Sequence, residues 1–153
     1  MGNKKLESKP NEPKKDGYRV VTYTRHSFPP ELKNLIIANF LNSLRYGNDL
    51  FKLIDNDAYY KAYGQYVEGL LNKINMRVNV ALLDDDSALG WCLYDFQEPS
   101  DVLHYVWIKK EARRQGICKA LLPESFDTFT HITNKGMNIW VNKYPESRFN
   151  PFA

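Results

Sequence analysis

A chain of 153 residues with 43% hydrophobic and 14% aromatic side chains can bury one core of its own, which excludes an intrinsically disordered protein. No apolar run nears the roughly 20 residues of a membrane helix and no apolar leader opens the chain, so the expected location is cytoplasmic. The net charge of +3 sits mostly at the start, where Lys4, Lys5, Lys9, Lys14 and Lys15 outweigh Glu7, Glu12 and Asp16. The remainder is nearly balanced, without the basic stripe of a nucleic-acid binder.

The expected division is a flexible basic tail over 1–17, where Pro10 and Pro13 oppose a helix, and a single domain over 18–153. Residues 18–24 are β-branched and aromatic and predict a first strand, ended by Phe28-Pro29-Pro30. Apolar residues at 32, 35, 36, 40, 41 and 44 then recur at helical spacing. A second helical stretch begins at Leu50, is interrupted at Asp55-Asn56-Asp57 and resumes from Tyr59 to Ile74. Strands follow at 77–83 and 88–96, joined by the turn Asp84-Asp85-Asp86-Ser87, and a third at 102–108. Three consecutive aspartates in a tight turn point in different directions, so the turn reads as a solvated tip and not a metal site. A helix is expected from Gly116 to about Phe129, with Pro123 inside it, and a last strand at 137–141 after the turn Asn134-Lys135-Gly136. The order spells an α+β domain built around one mixed sheet. Cys92 and Cys118 lack metal-ligand spacing and read as free thiols; no metal site is expected.

The segment with the most chemical content runs from Leu103 to Leu122. A buried strand enters a basic loop with one glycine and then a helix start, an order that turns successive backbone N–H groups toward a phosphate-bearing anion. Arg113, Arg114 and Lys119 add full charges around it.

These residues resemble the signature of the GCN5-related N-acetyltransferase superfamily, Arg/Gln-x-x-Gly-x-Gly/Ala, which reads here Arg113-Arg114-Gln115-Gly116-Ile117-Cys118. Element order is similar over about residues 18–142. Cys118 stands where the family has Gly or Ala, Pro123 falls inside the expected helix, and the chain ends soon after the expected fifth strand. The resemblance implies an acyl-CoA N-acyltransferase-like fold: a mixed, mostly antiparallel sheet flanked by helices. The early end implies loss of the usual C-terminal helix and last strands. It also implies acetyl-CoA as cosubstrate and direct attack of an amine acceptor on its thioester.

By position, the backbone of Arg114, Gln115, Gly116, Ile117, Cys118 and Lys119 would hold the pyrophosphate, with Arg113 beside it. The pantetheine arm would lie near Val106 and Ile108, where the fourth and fifth strands splay apart. Gly116 is expected to leave room for a phosphate. His104 is the first candidate base, its ordinary pKa of about 6.5 suiting proton uptake near neutrality, with a buried ring-bonded histidine as the other reading. Alternation sets it opposite Leu103, Tyr105 and Trp107. Tyr105 is the candidate if the faces are reversed, and Tyr144 is the candidate acid. Arg45, Tyr59, Tyr60, Tyr63 and Tyr66 form either an acceptor wall or a core stripe.

The alternative from a different class is a non-catalytic module of the same fold that keeps the loop, as in short phage- or prophage-encoded proteins. An open edge on the fifth strand would also favour a homodimer.

Overall fold

The computed structural model describes residues 17–153, so nearly all of the expected tail lies outside the described residues. Strand β1 (Arg19–Tyr23) comes first, then helix α1 (Pro30–Tyr46). Pro29 and Pro30 start this helix, their fixed φ being ready-made for a first turn, and Glu31 complements its dipole. Ile36, Phe40, Leu41 and Leu44 supply its buried stripe, and Gly47 caps it. Asp55 is the N-cap of helix α2 (Asn56–Leu71), accepting from the Ala58 amide at 3.1 Å, so the acidic interruption read in the sequence is a helix start.

Strands β2 (Met76–Leu82), β3 (Ala88–Asp95) and β4 (Asp101–Ile108) follow as an antiparallel run. Helix α3 (Ile117–Leu121), strand β5 (Phe126–Phe129), helix α4 (Asn134–Lys143) and strand β6 (Arg148–Phe149) complete the order. Among the described residues the six strands lie side by side in chain order, with β5 parallel to β4 and β6 parallel to β5. This is the mixed, mostly antiparallel sheet flanked by helices that the resemblance implies. No helix among the described residues is long and apolar enough to cross a membrane.

The two sheet faces bury separate clusters. One joins α1 and α2 to Val78, Val80, Trp91, Leu93 and Tyr105; the other joins α3 to Cys92, Tyr94, Leu103 and Phe129, with Val106, Met137 and Trp140 packed on it. Leu103 and Tyr105 thus face opposite layers, which corrects the expectation that both share a face with Trp107. The reason is a β-bulge: Tyr94 pairs with Leu103 and Leu93 with Tyr105, leaving His104 without a partner across the ladder.

Three further expectations are corrected. The helix expected from Gly116 to Phe129 ends at Leu121, because Leu122, preceding Pro123, is held extended at φ −66°, ψ 144°. Residues Phe126–Phe129 become β5. The strand expected at 137–141 is α4, started by Thr133, whose hydroxyl accepts from the Gly136 amide at 3.0 Å. Its inward residues, Met137 and Trp140, have helical spacing, while Ile139 and Val141 are exposed. A C-terminal helix is therefore present, and β6 pairs Arg148 with Thr128 and Phe149 with Phe129. That pairing occupies the outer edge of β5 and removes the reason given for a homodimer.

Candidate functional site

After β4, a short 3₁₀ turn at Lys110–Ala112 is fastened by the Ala112 amide to the Lys109 carbonyl at 2.9 Å. Arg113 is extended and returns its Nε to the Ile108 carbonyl at 3.1 Å, which ties the loop to the strand end. Arg114 at φ 63° and Gly116 at φ 79° both lie in the left-handed region. Two such residues around Gln115 fold the backbone into a concave turn whose N–H groups face outward, an arrangement that favours anions. Among the described residues, the amides of Arg114 through Lys119 donate to no protein acceptor.

A Cβ on Gly116 would meet nothing within 4 Å, so its conformation, not crowding, selects glycine, and the space above it is open. Ile117 and Leu121 anchor α3 in the second cluster. Arg113, Arg114 and Lys119 are exposed and form no ion pair among the described residues. An open groove of about 470 Å³ flanks the turn, lined by Leu83, Leu89, Lys109, Glu111, Ala112 and Gln115.

The adjoining splay is also present. Strands β4 and β5 pair only over Asp101–Leu103, and their last link is the Thr130 amide to the Leu103 carbonyl at 2.9 Å. Beyond it Val106 and Ile108 have no strand on that side among the described residues, and both are half-buried on the α3 face. The strand edge at Val106 and Ile108 therefore runs directly into the turn at Arg113–Gly116. Cys118 is partly buried, and burial raises its thiol pKa, offset in part by Lys143 at the end of α4. Tyr144, the next residue, stacks near Trp140 at 4.5 Å and Phe126 at 5.7 Å. Burial and the neighbouring Cys118 raise its hydroxyl pKa, so Tyr144 stands on the α3 side of the splay.

The other two candidates lie deeper. Tyr105 is buried on the opposite face, its ring 4.6 Å from Phe40 and its hydroxyl 2.9 Å from Ser43 Oγ; burial pushes its pKa up to about 12. His104 is completely buried. Its Nδ1 is 3.0 Å from Thr130 Oγ1, and its Nε2 is 3.0 Å from Asp95 Oδ2, off the line of a well-formed hydrogen bond. Burial pushes the Asp95 carboxyl up, but His104 and Lys73, which contacts the same oxygen, outweigh it and hold it below the usual range.

The expected wall divides as well. Arg45 packs its guanidinium over Tyr59 at 5.0 Å and Tyr60 at 5.8 Å and donates to the Ile54 carbonyl, while Tyr59 is buried and donates to the Leu41 carbonyl at 2.6 Å. These are core contacts. Tyr63 and Tyr66 instead surround His131, a residue the sequence reading passed over because 116–129 was read as one helix. The His131 ring is 5.7 Å from Phe40, 5.9 Å from Tyr63 and 5.4 Å from Tyr66. Burial, helped by His104, pushes its pKa down to about 4.

No family model and no curated protein matches the chain. Solved structures are similar at low identity. A candidate acetyl transferase from Pyrococcus furiosus is 18% identical with a TM-score of 0.49, covering 87% of this chain and 80% of its own. A GNAT-family acetyltransferase from Staphylococcus aureus Mu50 is 16% identical with a TM-score of 0.46, covering 68% of this chain and 60% of its own. An aminoglycoside acetyltransferase from an uncultured soil metagenomic sample is 17% identical with a TM-score of 0.42, covering 88% and 76%.

Proposed function

We propose that the chain is an N-acetyltransferase of the GCN5-related superfamily, using acetyl-CoA and an amine acceptor. The observation that carries this reading is the left-handed turn at Arg114–Gly116, with its row of unengaged amides, set directly beside an unpaired strand edge. A coenzyme A pyrophosphate suits that turn because the space over Gly116 is open and Arg113, Arg114 and Lys119 are exposed cations around it with no ion pair among the described residues. The backbone edge at Val106 and Ile108 would take the amide groups of the pantetheine arm, since peptide groups left without a strand partner need one. Acetyl-CoA supplies an activated thioester; the chain's part is to hold it at the loop, align the amine and manage one proton. Tyr144, beside Cys118, is the proposed acid for the departing sulfur.

Calorimetric titration of the full chain with acetyl-CoA tests this. Wild type is expected to give saturable heat, and Gly116→Glu, which sets a carboxylate in a left-handed position over the amides, to weaken binding at least tenfold. Absence of heat from wild type at millimolar ligand overturns the reading. The complete burial of His104 favours the second reading, a non-catalytic module that keeps the loop. Release of free thiol from acetyl-CoA over an amine panel, aminoglycosides included, separates the two.

A further inference from the structure

Resting on the acetyltransferase reading, we propose that His131 is the proton-transfer residue of this site and that Asp95, His104 and Thr130 are its positioning residues. Five groups lie in line. The Lys73 ammonium contacts Asp95 Oδ2, His104 Nε2 lies 3.0 Å from that oxygen, His104 Nδ1 lies 3.0 Å from Thr130 Oγ1, and Thr130 Oγ1 lies 2.9 Å from His131 Nδ1. The three inner members of this line are sealed, with Asp95 at 3% exposure and both His104 and Thr130 at 0%, while Lys73 is its exposed far end. His131 is its outer end. Its Nε2 makes no hydrogen bond among the described residues, yet it is not among the buried polar atoms left without a partner. It therefore reaches open space.

The hydrogen bonds around Thr130, which the Tyr66 hydroxyl also meets, accommodate the Nδ1–H tautomer at His131. Thr130 has one hydroxyl hydrogen. If His104 is neutral, its Nε2–H faces the Asp95 carboxylate and its Nδ1 accepts the Thr130 hydrogen. If His104 is cationic, its Nδ1–H donates to Thr130 Oγ1, and the Thr130 hydrogen has the His104 carbonyl at 3.3 Å as acceptor. In both states an acceptor on His104 is available, which leaves the Thr130 oxygen able to accept from His131 Nδ1–H, the arrangement the proposal adopts. The lone pair of His131 is then on Nε2, the atom that faces outward.

Position supports the role. Thr130 is the last residue tied to β4, through Leu103, so His131 is the first residue past the point where β4 and β5 separate. Phe40 contacts both His131 and Tyr105, which sets His131 against the unpaired stretch of β4. Among the described residues the groups packed on it are Phe40 from α1, Tyr63 and Tyr66 from α2, His104 from β4 and Thr130 beside it, with the Asp95 carboxylate felt one step away through Tyr66 and His104. In the step proposed, the amine nitrogen forms a bond to the acetyl carbon and passes its N–H proton to His131 Nε2. The carbon–sulfur bond breaks, sulfur keeps the electron pair, and a proton returns to sulfur from Tyr144 or from the imidazolium, leaving amide and thiol.

The chain has three histidines, so long-range ¹⁵N–¹H correlation spectra of the full-length protein can assign each ring. The expected result is an Nδ1–H tautomer at His131, retained in Thr130→Ser and lost in Thr130→Val. An Nε2–H tautomer at His131 in wild type overturns the positioning line. For chemistry the probe is hydroxylamine, a small amine largely unprotonated at pH 7.5, with thiol release from acetyl-CoA as the signal. His131→Gln is expected to lower kcat at least 30-fold with the KM for acetyl-CoA within twofold, and Thr130→Val to lower it about tenfold, with Thr130→Ser near wild type. Wild-type turnover in His131→Gln, or no turnover by a wild type that binds acetyl-CoA, overturns the proposal. Failure of wild type to bind acetyl-CoA overturns the acetyltransferase reading, while the tautomer measurement still decides the line itself.

Discussion

Arg114 holds a left-handed φ that its Cβ opposes, while Gly116 holds a similar φ without penalty. Arg114→Gly should therefore raise stability in chemical denaturation by about 1 kcal/mol while weakening acetyl-CoA binding and flattening its salt dependence. Gly116→Ala should lower stability by about 1–2 kcal/mol, since it adds a Cβ at positive φ but meets no neighbour. His131 makes a pH prediction. Its folded pKa, near 4, lies below the ordinary 6.5, so the unfolded chain takes up the proton first on acidification. The contribution is complete above pH 6.5 and is lost as pH falls to about 4, amounting to about 3 kcal/mol. His131→Phe should flatten the stability curve in that window relative to wild type, read as denaturation midpoints at pH 7, 5.5 and 4.5.

At the level of elements, the helices α1 and α2 and the strands β1 to β4 were legible because each carries its own period or its own stop. Pro29-Pro30 and Asp55 start the two helices, and the polar turn at 84–87 separates two strands, one alternating at Met76, Val78 and Val80 and the other apolar from Ala88 to Tyr94. The region from Gly116 to Val141 was not legible for two reasons. Pro123 straightens Leu122 and so ends a helix that apolar spacing alone would continue through Phe129. In α4 the run Met137-Asn138-Ile139-Trp140-Val141 mimics a strand, but only Met137 and Trp140 turn inward. The deciding signal is Thr133, a helix N-cap one residue before the turn that was read there. Thr133→Ala should cost about 1 kcal/mol, measured by denaturation, and should fray α4 without touching the loop. The left-handed turn after β4 was legible because a glycine and a basic flank mark it in the sequence. His131 was not, because its role depends on which strand it ends.

Across the whole molecule the sheet separates two layers of unequal strength. The α1–α2 layer buries Ile36, Phe40, Leu44, Tyr59, Val67 and Leu71 almost completely, whereas no residue of α4 is buried and both residues of β6 are exposed. Hydrogen exchange should therefore be slowest in β2 and β3 and fastest in α4 and β6, with the β4–β5 mouth opening by local motion below the global unfolding free energy. Uniform protection across all six strands would contradict that ordering. A cleft whose far wall is the least stable part of the fold can admit a long ligand arm without disturbing the core.

The unpaired position at His104 makes that residue arithmetically surplus. Leu103 and Tyr105 already alternate correctly between the two layers, so neither layer needs a side chain from the residue between them. Deleting His104 would leave a regular ladder with both cores in register, at the cost of a fully buried ring, of one partner of Asp95 and of the polar line to His131. The deletion chain is expected to fold cooperatively and to bind at the loop, while His131 loses its fixed tautomer. One extra residue in a strand thus adds a polar line between the two layers without shifting the register of either.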